Sequence, residues 1–84
     1  MTYEIIFSDK ALRQLKKLEK IVQERIIAVL ERIRIRPGTY VTKLVGDPGY
    51  KLRVGDYRVI IDIDNKKLTI LVLKVGHRKN IYYK

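Results

Sequence analysis

No cysteine occurs among the 84 residues, so neither a disulfide framework nor a thiolate metal site is available. The only histidine is His77, and a zinc site built from several imidazoles is therefore excluded within one chain. Serine also appears once. Ser8 directly precedes a helical pattern, where a cap explains it, and a Ser-His-carboxylate triad would have to take its nucleophile from that cap. Long apolar runs are missing: the longest are a few residues, against the roughly 20 that a spanning helix needs. The start, MTYEIIFSDK, holds an early acid and no apolar segment with a cleavage site, which argues against export. Walker A, HExxH, CxxC and nucleophile-elbow patterns are all absent. These absences predict a small cytoplasmic protein without membrane association.

What is present supports one modest core. Hydrophobic residues make up 46% of the chain, too many for a disordered segment, and the length predicts a single domain over residues 1–84. Nineteen Lys and Arg face nine Asp and Glu, a net charge of +10 that favours a polyanion, either nucleic acid or an acidic protein segment. Residues 1–50 carry ten bases and six acids, whereas residues 51–84 carry nine and three. The shorter C-terminal part holds the larger net charge, and the functional search starts there.

Residues 3–7, YEIIF, read as a strand with Tyr3, Ile5 and Phe7 on one face. Ser8 or Asp9 then caps a helix carrying Leu12, Leu15 and Leu18 at helical spacing. A second helix over about 21–35 has Val22, Ile26, Val29, Leu30 and Ile33 as its stripe, with Pro37-Gly38 expected to end it. A junction near residues 19–21 makes the two an antiparallel hairpin. Three strand-like runs follow at 50–54, 57–63 and 68–75, broken by Gly55-Asp56 and Asn65-Lys66, spacings that imply antiparallel pairing. The third run, LTILVLKV, is apolar almost throughout and predicts an inner strand covered on both faces. Asp47-Pro48-Gly49 reads as a type II turn with positive φ at glycine, within a mainly looped stretch at 38–49 that leaves room for a short extended piece. The expected fold is α+β: an N-terminal strand and a helical hairpin packed on one face of a mostly antiparallel, four-stranded twisted sheet, the first strand lying beside the third run.

Two chemistries are open to these residues. Asp62 and Asp64 share a strand face and would suit a divalent ion, although acids before a hairpin turn are ordinary. The bases say more. Lys51 and Arg53 point together from one strand, Arg58 begins the next, and Arg78 lies beyond the third, so hairpin pairing brings them toward one end and one face of the sheet. Arginine presents a planar fork of donors that matches phosphate, and several can stabilise the added charge of a phosphorane. His77 offers an imidazole as a general base. Tyr82 and Tyr83 can stack on bases or donate a phenolic proton. A set of Lys, Arg, His and Tyr suits RNA cleavage better than DNA hydrolysis, because RNA carries its own nucleophile and positioning supplies much of the rate.

The segments FSDKALRQLKKL at 7–18, KLVGDPGYKLRVGDYRVIIDID at 43–64 and LTILVLKVGHRKNIYY at 68–83 resemble the RelE/ParE superfamily of toxins, with GYKLRVGDYRVI and VGHR as the discriminating parts. The resemblance implies a ribosome-dependent mRNA endonuclease that cuts A-site codons through 2′-hydroxyl attack, uses neither metal nor organic cofactor, and is neutralised by a small RelB-like antitoxin. Carried over by position, it implies that Lys51 approaches the scissile region, Arg58 holds the transferring phosphate and Arg78 assists the leaving group. Tyr82 would be the C-terminal catalytic tyrosine, with Tyr83 as the alternative. Arg53 and His77 are supporting candidates. Gly49 departs from the pattern, standing where the best-known branch has a second lysine, and His77 is the expected compensation. The competing implications are a ParE-type inhibitor of DNA gyrase and a noncatalytic basic module binding RNA or protein.

Overall fold

The computed structural model describes residues 2–81. In chain order the elements are β1 (Glu4–Phe7), α1 (Asp9–Lys16), α2 (Lys20–Ile33), a 3-10 turn at Pro37–Thr39, β2 (Thr42–Lys43), β3 (Tyr50–Val54), β4 (Tyr57–Asp64) and β5 (Thr69–His77). The strands form one sheet in the order β1-β5-β4-β3-β2, with β1 parallel to β5 and every other pair antiparallel. The α+β class and the return of β1 to β5 match the expectation. The sheet has five strands rather than four, because Thr42 and Lys43 add a two-residue edge beside Lys51 and Tyr50.

Local chemistry sets the helix ends. Ser8 is the N-cap of α1, its Oγ accepting from the Ala11 amide at 3.1 Å. Helix α2 stops at Ile33, four residues before Pro37, the proline expected to end it. Its last turn is drawn into tertiary bonds: Arg34 accepts the Tyr3 amide on its carbonyl at 2.8 Å, and its Nε donates to the Tyr3 carbonyl at 2.7 Å. Arg36, held extended by the proline after it, then starts the 3-10 turn.

Both helices cover the same face of the sheet. Ala11 and Leu15 from α1 and Ile26, Leu30 and Ile33 from α2 pack on Leu52, Val54, Val59, Ile61, Ile70, Val72 and Val75. Ile26 is wholly buried, and truncating such a side chain to alanine costs roughly 2–5 kcal/mol. The opposite face carries no helix. This corrects the expectation for the third run, since Leu71 and Leu73 of β5 are only half-buried there. The run is apolar throughout for a different reason. Ile60 pairs with Lys74 but Ile61 pairs with Val72, so Leu73 is an extra residue in β5. This β-bulge shifts the alternation, and the core-facing positions become Ile70, Val72 and then Val75.

The bulge also needs backbone partners, because β1 ends opposite Val72. Helix α1 supplies them: the Ser8 hydroxyl donates to the Leu73 carbonyl at 3.2 Å, and Gln14 Oε1 accepts the Val75 amide at 2.8 Å. The glycines are used differently from expectation. Gly46 and Gly55 have positive φ, 81° and 59°, whereas Gly49 does not. A Cβ on Gly49 would lie 3.2 Å from the Ile61 carbonyl and 3.5 Å from a Leu44 methyl, so this glycine serves close packing.

Candidate nucleic-acid interface

Strand register decides which bases meet. Leu52 and Val54 of β3 point into the core, so Lys51 and Arg53 point to the face without helices. Arg53 pairs directly with Arg58, Lys51 with Ile60, Arg58 with Gly76 and Ile60 with Lys74. Lys51, Arg53, Arg58 and Lys74 therefore share one end of the open face. Like charges directly opposite one another are unfavourable in a sheet. Arg58 is steadied by its own hairpin, Nη1 donating to the carbonyls of Gly55 at 3.3 Å and Tyr57 at 3.2 Å.

Arg78 is tied to the same hairpin through its backbone, whose N–H donates to the Asp56 carbonyl at 2.9 Å. Arg78 itself is exposed, just beyond the end of β5 that pairs with this hairpin. The chain then reverses, with the Asn80 amide donating to the His77 carbonyl at 2.8 Å. Ile81 comes back against Gly76, where an added Cβ would meet it at 3.6 Å. The glycine leaves the space opposite Arg58 to that returning segment. Tyr82 and Tyr83 lie outside the described residues.

His77 is not part of this cluster. It pairs with Tyr57, which packs against the core, and the two rings meet edge to face at 5.3 Å and 80°. Its Nδ1 accepts the Lys79 amide at 3.2 Å, so the ring helps to shape the turn. Its pair partner Tyr57 lies on the core side of β4, so His77 faces away from the open face that carries Arg53 and Arg58. The cation that shares the open face is Lys74. The sequence signal for it was present as the one base inside the apolar run, but only the bulge sends it to that side.

Asp62 and Asp64 lie toward the other end of the open face. Asp62 Oδ1 accepts the Ile63 amide at 2.9 Å, and Asp64 Oδ1 accepts those of Lys66 and Lys67 at 2.9 and 3.0 Å. The bond from the Lys67 amide, with the Lys66 amide and the Lys67 charge behind it, outweighs desolvation and holds the Asp64 carboxyl below its ordinary value. These acids build a turn, and no group of three or more His, Asp or Glu is placed to hold a metal ion among the described residues. The open face is thus cationic at one end and anionic at the other. Among the described residues no helix is long and apolar enough to cross a membrane.

Comparison with known proteins agrees with this architecture. The family model described as the ParE toxin of the type II toxin-antitoxin system, parDE, matches residues 5–82. The mRNA interferase toxin RelE of Escherichia coli is 30% identical over 82 residues, covering 94% of this chain and 86% of that protein. Toxin RelG of Mycobacterium tuberculosis is 29% identical over 86 residues, with 98% of each covered. Among solved structures, the toxin-antitoxin complex RelBE2 from Mycobacterium tuberculosis superposes with a TM-score of 0.86 at 25% identity, covering 93% of this chain and 100% of that one. The RelE-RelB complex from Pyrococcus horikoshii gives 0.80 at 28% identity, with 96% and 100% covered. The chain belongs to the RelE/ParE superfamily of toxins from type II toxin-antitoxin systems.

Proposed function

We propose that this toxin is a ribosome-dependent mRNA endoribonuclease that cuts codons in the ribosomal A site. The observation that carries the reading is the convergence of Arg53, Arg58 and Lys51 on one solvent-facing sheet end, beside the anchored Arg78. A cluster of cations held together at a cost in mutual repulsion suits a phosphate gaining charge in a transition state. In the reaction, the 2′-oxygen bonds to the adjacent phosphorus and the bond to the 5′-oxygen breaks, leaving a cyclic phosphate and a 5′-hydroxyl. Arg58 binds the transferring phosphate, Arg78 neutralises charge at the leaving oxygen and Lys51 approaches the scissile region. Tyr82, or Tyr83, orients the 2′-hydroxyl. The ribosome supplies the in-line geometry that a small basic face cannot impose alone. Its regulator is a RelB-like antitoxin, the partner seen in the solved complexes of relatives, whose acidic or apolar segments would meet the basic chain.

The test is mapping of mRNA 5′ ends in a purified translation system, with and without ribosomes. Ribosome-dependent cuts at A-site codons are expected, lost in Arg78→Ala while folding and antitoxin binding persist. Unchanged cleavage by Arg78→Ala would remove the proposed site. The match to the ParE family model favours one second reading, inhibition of DNA gyrase. An absence of cuts together with falling supercoiling activity would establish that reading instead.

A further inference from the structure

The loop between β2 and β3 folds over the open face next to the basic cluster. The Leu44 amide donates to the Gly49 carbonyl at 3.0 Å, which closes the loop and sets the Leu44 side chain down on Gly49 and Ile60. Leu44 and Ile60 are buried, at 8% and 5% exposure, although no helix lies on this side. Between this loop and the bulge is a hollow of about 200 Å³ walled by Leu44, Pro48, Ile60 and Leu73, with Gly49 leaving its floor open. Two polar residues complete the lining, Asp47 and Lys74. Drug-sized ligands occupy roughly 300–1,000 Å³, so the hollow suits something smaller and flat.

Its position indicates what that is. Ile60 lies two residues along β4 from Arg58, a separation of roughly 6.6 Å by strand geometry, and both face the same side. That is about one nucleotide step in an extended strand. A phosphate on the Arg53–Arg58 pair thus places a neighbouring base over the hollow. Apolar walls accept the faces of a splayed-out base. Asp47 in its lining is the informative residue. A carboxylate beside a cationic face repels phosphate but accepts N–H groups from a base edge. Adenine, cytosine and guanine all carry an exocyclic amine, whereas the single N–H of uracil sits between two carbonyl oxygens that a carboxylate repels.

Building on the RNA-cleaving reading, we infer that this hollow is a base-reading subsite that accepts an amine-bearing base next to the scissile phosphate and rejects uracil. The test is methyl NMR of the full chain titrated with 2′-O-methyl trinucleotides of A, C or U, which bind without being cut. The methyl signals of Leu44, Ile60 and Leu73 should shift with A and C and respond several-fold more weakly to U. A trinucleotide abasic at its centre should move the Arg58 side-chain signals and leave those methyls still. Asp47→Asn, whose amide both donates and accepts, should erase the discrimination against U while the fold is retained. Equal responses to all three bases, or methyl shifts with the abasic strand, would overturn the inference. Responses confined to the arginines would remove the subsite and leave the nuclease reading intact; the hollow would then suit a side chain of a protein partner. Methyl shifts from a native chain that makes no A-site cuts would sink the nuclease reading and keep the subsite. Silence at both would overturn the subsite, while the nuclease reading stands or falls on the A-site cuts alone.

Discussion

Removing one arginine from the open face should stabilise the protein. Arg53 and Arg58 stand directly opposite on neighbouring strands, where Cβ atoms are roughly 4.5–5.5 Å apart, and charges splayed apart at the ends of such long side chains are taken at roughly 6–8 Å. At that distance two unit charges repel by about 0.5–0.7 kcal/mol in a water-like dielectric, and by more where the sheet limits solvent. Arg53 is exposed, so the lower figures apply. The remaining net charge of +10 acts in the same direction. Arg53→Gln should therefore raise stability by about 0.5–1 kcal/mol, or Tm by roughly 2–8 °C for a chain of this size. Arg53→Lys keeps the charge and should gain nothing. Arg58→Gln should gain less than Arg53→Gln or even lose stability, because it gives up the bonds to the Gly55 and Tyr57 carbonyls, worth about 0.5–1.5 kcal/mol each at best. Thermal melts at low salt and in 1 M NaCl decide the matter. Screening over roughly 3 Å at 1 M should close most of the gap between Arg53→Gln and the native chain. A glutamine variant that melts no higher than the native protein at low salt would show that the pair is not in repulsion, and the reasoning would fail.

The bulge clamp and the acidic turn make two further tests. Gln14→Leu leaves the Val75 amide without an acceptor and should cost roughly 1–3 kcal/mol, with faster hydrogen exchange at Val75; Gln14→Glu keeps an acceptor and should lose less, and unaltered exchange in Gln14→Leu would discount the clamp. Asp64 has a folded-state pKa below its ordinary 3.8, so its contribution is present above that value and disappears as pH falls through the lower folded value. Urea midpoints measured below about pH 4 should decline less steeply for Asp64→Asn than for the native chain, and parallel declines would contradict the assignment.

Much of this was legible because hydrophobic period and turn chemistry agree along most of the chain. Tyr50–Val54 alternates cleanly, and strand β3 has those bounds; the short breaks at Gly55-Asp56 and after Asp64 are hairpins as their spacing required. The meeting of Lys51, Arg53 and Arg58 followed from that register. What failed did so where one residue slipped the alternation or where tertiary bonds replaced local signals. Leu73 is an ordinary leucine in an apolar run, and nothing in its identity marks a bulge. Gln14 occupies a helix as any glutamine might, although it completes the ladder of a strand 61 residues away. Gly49 followed proline and invited a positive-φ turn, yet a carbonyl and a methyl from distant residues set its role.

Gly49 and the bulge together explain how the cationic face is composed. The resemblance to RelE placed a lysine at position 49 in the best-known branch and looked to His77 for the missing charge. A Cβ at 49 would press on the Ile61 carbonyl at 3.2 Å and touch the Leu44 methyl at 3.5 Å, so a lysine there would require the loop packing to shift by a few tenths of an ångström. His77 faces Tyr57 on the other side. Lys74 instead stands opposite Ile60 on the open face because Leu73 is extra. The bulge in β5 thus places a cation on the same face as Arg58, next to the apolar wall that Leu44 and Ile60 form. Charge and shape are thereby set by different features of one face, the arginine pair by the β3–β4 register and the apolar wall by the loop closed over Gly49, so one can change without the other.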